Sequence, residues 1–400
     1  MDNKNKKIMF ITLGTGAGVS HGILFSIKKQ SPNIVVFIIS NESLKTYDEL
    51  LNQLQGKQIE IIKEECNEVN DIEIIYKVFS SIIQRYLNKG FTKENIVVDY
   101  TSGTKAMSAA IVSVAIAKGL ENFSYVYGSR DSDGRVVSGT ERLNSLTVNR
   151  IVTENYLKLF QVFFNKNQFD LALNVLDQLK EVHPDYSERI VLNKALATAF
   201  SFWEKFNFIK SFNILDSIDI ELRSKYGIKT KIETLKAVLY KLKEKTPNIE
   251  KVHELMRNAL RRAEEGKYDD AVARLYRTLE MIGQIEFIKE FGHETNSVIP
   301  KKLPENVKKY LINKYSCKEE EQLKLGLRET FILLEKKGNE IGKKYFVNEK
   351  IFKYHLEKRN HSILAHGSNP LDEKAFVEFY DFVKSFIGPV PVIDFPKLEA

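Results

Sequence analysis

The sequence predicts an α/β domain built on a parallel sheet, followed by two all-helical segments. Three observations carry this. Over the first 150 residues short β-branched runs alternate with stretches of helical period. From about Asn149 onward the strand signals stop, and Thr246-Pro247-Asn248 breaks the helical remainder in two. The 400 residues suffice for two or three domains, and the expected division is 1–150, 151–247 and 248–400.

Apolar runs at 8–13, 34–39, 59–62, 96–98 and 123–127 predict the strands, and 19–29, 43–54, 72–87 and 105–118 predict the intervening helices. Ile34-Val35-Val36-Phe37-Ile38-Ile39 is apolar at every position, the pattern of a strand covered on both faces. After Tyr127 the pattern changes. Asp131-Ser132-Asp133-Gly134 signals a turn between 125–130 and 135–138, and a second turn at Gly139 leads into 143–147. An antiparallel hairpin edge is expected there. Helical periodicity then covers 156–164, 169–180, 189–204, 210–217 and 232–243, and in the last part 252–266, 269–291, 319–337, 349–365 and 373–388. Asn167-Gln168-Phe169-Asp170-Leu171-Ala172 resembles Gly266-Lys267-Tyr268-Asp269-Asp270-Ala271, but two copies are too few for a solenoid.

Composition narrows the function classes. With 43% hydrophobic and 28% charged residues the chain folds and is not disordered. The net charge of +7 is split as +2 over the first 150 residues and +5 over the rest, so there is no basic tail. That charge permits a polyanionic partner without demanding one. Cys66 and Cys317 are too few and too far apart for a disulfide scaffold or a cysteine zinc motif. The longest uncharged apolar stretch, 109–117, is about half a membrane span. The opening MDNKNKKIMFITLG has no apolar core followed by a cleavage signal, so a cytoplasmic, reducing location is expected.

Two strand ends in the first domain carry ligand chemistry. The first is Leu13-Gly14-Thr15-Gly16-Ala17-Gly18-Val19-Ser20-His21-Gly22. Its glycines allow close backbone approach and open a helix whose N-terminus favours negative charge. Val19 stands where a dinucleotide fingerprint needs a small residue, and no Gly-Lys-Ser/Thr follows to make a P-loop. The second is Asp99-Tyr100-Thr101-Ser102-Gly103-Thr104-Lys105-Ala106-Met107, in which hydroxyls, a glycine and a lysine open a helix. Each segment also fits an ordinary strand-to-helix turn, with Thr101 or Ser102 as a helix cap. Both lie at the carboxyl ends of strands, where open α/β sheets bind ligands, so one site can use both.

Asp-x-Thr-x-Gly-Thr-Lys-x-Met after a buried strand resembles the signature turn of CARF domains, the CRISPR-associated Rossmann-like sensors of cyclic oligoadenylates. The likeness covers about residues 5–150. It implies ligand contacts by Gly14, Thr15, Gly16, Asn41, Thr101, Ser102, Gly103, Thr104 and Lys105.

Three of the seven histidines fall within Tyr354-His355-Leu356-Glu357-Lys358-Arg359-Asn360-His361-Ser362-Ile363-Leu364-Ala365-His366-Gly367. Read as one helix, His355, Arg359, Ser362 and His366 form a stripe, with Gly367 supplying the C-cap. An imidazole and a guanidinium on one face are what metal-free RNA cleavage uses, one for proton transfer and one for phosphorane charge. They equally suit a helix end that attracts cations. Arg359 and His366, with six residues between them, match the Arg-x(4–6)-His motif of HEPN ribonucleases, and 261–277 resembles the first helical hairpin of such domains.

A CARF-like and a HEPN-like half in one chain resemble the accessory ribonucleases of type III CRISPR systems. The resemblance implies a homodimer, a cyclic tetra- or hexa-adenylate as allosteric activator, a single-stranded RNA substrate, and Arg359, Asn360 and His366 as the cleaving residues. It also implies no metal, no cofactor and no membrane attachment, and allows slow cutting of the ring in the CARF domain. Two other readings stay open from the residues alone. One is an oxidoreductase binding a ribose through Glu42. The other is a ligand-sensing regulator or scaffold whose basic segment, with Lys350, Lys353, Lys358 and Arg359, holds nucleic acid without cutting it.

Overall fold

The computed structural model describes residues 3–16, 18–129, 132, 136–147, 149–365 and 367–398. The chain forms two compact units, the first of residues 1–158 and 179–187, the second of 159–178 and 188–400.

The first unit holds strands β1 (Ile8–Thr12), β2 (Ile34–Ile39), β3 (Glu60–Glu65), β4 (Ile96–Asp99), β5 (Asn122–Tyr127) and β6 (Arg142–Thr147), with helices α1 (Val19–Gln30), α2 (Leu44–Leu54), α3 (Ile72–Asn88) and α4 (Lys105–Ala117). The sheet order is β3-β2-β1-β4-β5-β6. Strands β1 to β5 run parallel, and β6 is antiparallel to β5, from Asn122 opposite Thr147 to Tyr127 opposite Arg142.

Strand residues alternate between faces, and each face builds its own core. Ile8, Phe10, Ile34, Val36 and Ile38 pack with Phe79 and Ile83 of α3 and Ile111 and Val114 of α4. Met9, Ile11, Val35, Phe37 and Ile39 pack with Ile23 and Ile27 of α1 and Leu50 and Leu54 of α2. The all-apolar strands therefore lie between two helix layers. The charged edge strand β3 keeps Lys63, Glu64 and Glu65, which blunts further pairing. Because β1 pairs with both β2 and β4, the strand order reverses between β1 and β4.

The antiparallel edge forms, its second strand Arg142–Thr147 matching the 143–147 segment expected after the turn at Gly139. The expected turn at Asp131-Ser132-Asp133-Gly134 lies, apart from Ser132, outside the described residues.

Helix α5 (Asn149–Asn165) carries the chain onward. The second unit contains α6 (Phe169–Asp177), α7 (Ser187–Glu204), α8 (Phe208–Ser217), α9 (Ile220–Lys225), α10 (Lys229–Leu242), α11 (Ile249–Glu264), α12 (Tyr268–Phe291), α13 (Glu305–Tyr315), α14 (Leu327–Lys337), α15 (Glu340–Val347), α16 (Glu349–Asn360) and α17 (Glu373–Ile387). The break expected near Thr246 is real as a helix boundary, with the Asn248 side chain accepting from Lys251 N at 3.0 Å to cap α11. It falls within this unit.

The core of the unit is built from α11, α12, α14, α16 and α17, including Met256, Leu275, Leu279, Phe331, Phe352, Phe379 and Val383. Phe169 joins an aromatic cluster with Phe164, Phe200 and Phe395. A buried charge network fixes the start of the long hairpin. Glu204 accepts from Arg261 at 2.5 Å and from Arg262 at 2.7 Å, and Glu254 pairs with Arg261 and Arg257.

Two helices end or begin elsewhere than the periodicity predicts. The segment before Leu327 is not helical, because Val298 and Leu323 pair as an isolated antiparallel bridge that uses their backbone groups. Helix α16 stops at Asn360 with His361 as its C-cap. Beyond it the chain doubles back, with Asn369 N donating to the His361 carbonyl and Ile363 N donating to the Asn369 carbonyl. Gly367 is packed so tightly that a Cβ there would lie 1.8 Å from the His361 oxygen. Gly367 is thus a close-approach residue and not a C-cap. Helices α9, α13 and α15 have no counterpart in the sequence reading.

Candidate functional site

The reversal of strand order brings together the two loops picked out in the first unit. Gly14 N donates to Ser102 Oγ at 2.9 Å, and Thr12 Oγ1 donates to the Ser102 carbonyl. Gly103 has φ +99°, a conformation that only glycine adopts freely, and its Cα faces Thr12. Ser102 is buried as the latch between the loops.

The other hydroxyls of the second loop also hold it in shape. Thr101 Oγ1 accepts from Val126 N at 2.9 Å, which ties the loop to β5. Thr104 Oγ1 caps α4 by accepting from Met107 N at 3.2 Å and donates to the Val69 carbonyl at 2.6 Å. Gly14, Thr101, Gly103 and Thr104 are half-buried, whereas Thr15, Gly16, Asn41 and Lys105 are exposed. Lys105 opens α4 and makes no ion pair among the described residues. The backbone of Asn41 is held by Asn67 Oδ1 at 3.2 Å.

Beneath this rim lies a polar group whose architecture the sequence did not show. Asp99 is fully buried, its Oδ1 accepting from Thr101 N at 2.9 Å and its Oδ2 from Ser26 Oγ at 2.5 Å, while Ser26 Oγ and Ser124 Oγ lie 2.8 Å apart. Burial pushes the Asp99 carboxyl up from its ordinary value against the pull of these hydrogen bonds. Ser26 was the available signal, a polar residue between Ile23 and Ile27 on the buried face of α1. His21, near the N-terminus of α1, pairs through Nδ1 with Glu141 Oε1 at 2.6 Å.

The stripe expected of His355, Arg359 and Ser362 does not form as one helical face, because α16 ends at Asn360. His355 turns inward and stacks on Phe379 at 4.8 Å, and burial lowers its imidazole pKa. Ser362 is buried in the turn after α16. His366 lies outside the described residues.

Arg359 sits in the last turn of α16, half-exposed, with its guanidinium 4.7 Å from the centre of the Tyr276 ring. Its Nη1 donates to Asn360 Oδ1 at 3.1 Å, and it has no carboxylate partner among the described residues. The exposed His361 has Nδ1 2.8 Å from the Glu357 carbonyl, which makes Nδ1 the protonated nitrogen and leaves Nε2 open. Tyr276, on α12, is a neighbour of Arg359 that the sequence did not single out. Among the described residues no group of three or more His, Cys, Asp or Glu side chains is placed to hold a metal ion, and no helix is long and apolar enough to cross a membrane.

A family model of the Csm6 HEPN domain matches residues 240–388. Among solved structures, Csm6 of Enterococcus italicus, bound to cyclic hexa-2'-fluoro-hexa-dAMP, aligns at TM-score 0.58 and 14% identity over 96% of this chain and 94% of that one. Two further likenesses are partial. One is to a type III CRISPR defence DNA nuclease activated by cyclic oligoadenylate, at TM-score 0.28 and 10% identity over 49% of this chain and 34% of that one. The other is to Can2 from Sulfobacillus thermosulfidooxidans in complex with cyclic tetra-adenylate, at TM-score 0.25 and 15% identity over 51% and 67%. At this identity the likeness to the Enterococcus italicus protein is one of fold. No curated protein matches the sequence.

Proposed function

We propose, from the match to the Csm6 HEPN family model at residues 240–388 and the shared fold with a Csm6 structure, that the chain is a CARF–HEPN protein and a cyclic-oligoadenylate-activated, metal-independent endoribonuclease acting on single-stranded RNA. One observation carries the reading: within the HEPN domain, Arg359 presents a guanidinium that no described carboxylate neutralises. Such a group is free to meet a phosphate.

In the proposed reaction the ribose 2′-oxygen attacks the adjacent phosphorus. Its proton passes to a base, the phosphorus–5′-oxygen bond breaks, and an acid protonates the leaving oxygen. The products are a 2′,3′-cyclic phosphate and a free 5′-hydroxyl. His366 is assigned the proton-transfer role, Arg359 the charge on the phosphorane, and Asn360 the orientation of substrate or of Arg359 itself. One copy offers too few groups for both acid and base, so a second copy completes the site. Ile351 and Tyr354 on α16, and Ile363 and Leu364 after it, are large apolar side chains left exposed, which suits a face covered by the partner copy.

The activator, a cyclic tetra- or hexa-adenylate, is assigned to the joined loops of the first unit. Thr15, Gly16, Asn41 and Lys105 face solvent and supply backbone N–H groups, side-chain donors and a cation for phosphates and bases, while Gly14, Thr101, Ser102, Gly103 and Thr104 fix the shape of the rim. The ring activates by binding better to the dimer arrangement whose RNA cleft is complete. The proposed location is the cytoplasm, where both ligands would be met.

A fluorogenic single-stranded RNA incubated with cyclic tetra-adenylate or cyclic hexa-adenylate, with and without chelator, tests this. Cleavage should need one of the rings, survive chelation and vanish in His366→Ala with ring binding intact. Intact RNA with every ring, together with binding of duplex DNA, would instead favour a regulator or scaffold. Cleavage lost on chelation would remove the metal-free mechanism.

A further inference from the structure

Arg359 differs from the other arginines of its neighbourhood. On α12, Arg274 is held by Asp270 and Asn258, and Arg277 by Glu280 and Gln284. Each is neutralised or saturated. Arg359 instead sits over an aromatic ring, its guanidinium carbon 4.7 Å from the ring centre, and spends one N–H on Asn360. A carboxylate in place of that ring would fix the guanidinium equally well but would cancel its charge. An aromatic face fixes the plane of the group and leaves its remaining N–H edges free.

Tyr276 is half-buried on α12, beside Glu280 one turn further along, and Glu280 is paired with Arg277 at 3.1 Å. Two turns earlier, at the start of the same helix, Asp269 Oδ2 accepts from Leu371 N at 3.0 Å, which holds the chain after the α16 turn. Asp269 and Tyr276 are seven residues apart, so they share a helix face at a spacing of roughly 10 Å. Helix α12 thus grips the segment bearing Arg359 and Asn360 on both sides.

We infer that Tyr276 is the positioning residue of the RNA-cleaving site: its ring sets the plane and direction of the Arg359 guanidinium without neutralising it. This rests on the ribonuclease reading above. Tyr276 does not touch the reacting atoms in this scheme, and its effect passes through Arg359.

The test compares Tyr276→Leu, Tyr276→Phe, Arg359→Lys and the double variant Tyr276→Leu/Arg359→Lys in full-length protein, with single-stranded RNA and saturating cyclic oligoadenylate. Tyr276→Leu should lower kcat roughly ten- to a hundred-fold, the cost of a misplaced catalytic group, with KM for RNA little changed. Tyr276→Phe keeps the ring and should recover most of that loss. On the Arg359→Lys background, where the guanidinium is already gone, Tyr276→Leu should add little. Tyr276→Leu cleaving at the wild-type rate, or costing as much on the Arg359→Lys background as in the otherwise unchanged chain, overturns the inference. A wild-type cleavage rate in Arg359→Ala would instead overturn the assignment of Arg359, while the wild-type protein failing to cut RNA with any ring would overturn the ribonuclease reading itself.

Discussion

Gly14 faces Gly103 so closely that a methyl group on Gly14 would lie 3.0 Å from the Gly103 nitrogen. This is the join between the loops that follow β1 and β4, and Ser102 Oγ closes it from the side. Gly103 carries two constraints at once. Its φ is +99°, and a Cβ on it would lie 3.0 Å from Thr12 Oγ1. Gly103→Ala should therefore cost about 1–3 kcal/mol in urea unfolding. Gly139→Ala, at φ +88° with nothing nearby, shares only the backbone strain and should cost less. Equal losses would show that the close approach contributes nothing.

Lys105 is the exposed cation at the same rim. Its replacement should leave the fold intact and weaken the grip on a phosphate ring. Lys105→Ala should raise the concentration of cyclic oligoadenylate needed for half-maximal RNA cleavage by roughly ten-fold, the loss of about one charge-assisted hydrogen bond. The slope of that concentration against salt should fall as well. A titration identical to wild type at low salt would remove Lys105 from the activator site.

The sheet unit was legible in the sequence because its strands are apolar at every position, as in β2, and its helices are long enough to show a period. The two loops stood out because glycines and hydroxyls cluster at strand ends, although an ordinary strand-to-helix turn fits the same residues. The helical unit was less so. Helix α9 has six residues, too short to show a period. Helix α16 was read too long because 361–365 continues its pattern. What ends it is non-local, the return of Asn369 and the fit of Gly367 against His361. Tyr276 was hidden for the same reason, since its partner lies on a different helix.

Phe395 shows how the C-terminal segment after α17 is held. It stacks on Phe200 at 4.6 Å, meets Phe169 and Trp203 edge-on, and lies beneath the Arg261 guanidinium at 4.9 Å. Further along, Leu398 N donates to Asn165 Oδ1 at 2.9 Å and its carbonyl accepts from Gln161 at 2.6 Å. Phe395→Ala opens a cavity among aromatic side chains and should cost about 3 kcal/mol. Phe395→Leu refills part of it and should cost less. Calorimetry on both variants checks this, and a loss under about 0.5 kcal/mol for Phe395→Ala would mean that the segment is not packed as described.

His355 gives the helical unit a defined response to acid. Burial against Phe379 and Phe382 lowers its pKa, with nearby Glu378 opposing the shift and Lys358 adding to it. An unfolded chain therefore takes up a proton on this imidazole near pH 6.5, before the folded chain does. Below that pH the unfolded state binds more protons, so stability falls as pH is lowered and is fully present above it. His355→Phe keeps the ring against Phe379 and removes the proton. Its unfolding free energy should fall less steeply than that of wild type between pH 7 and the onset of carboxylate titration. Some slope should remain, because burial lowers the pKa of His253 on α11 in the same sense. Urea unfolding at several pH values measures both slopes, and identical slopes for wild type and His355→Phe would place the proton uptake elsewhere.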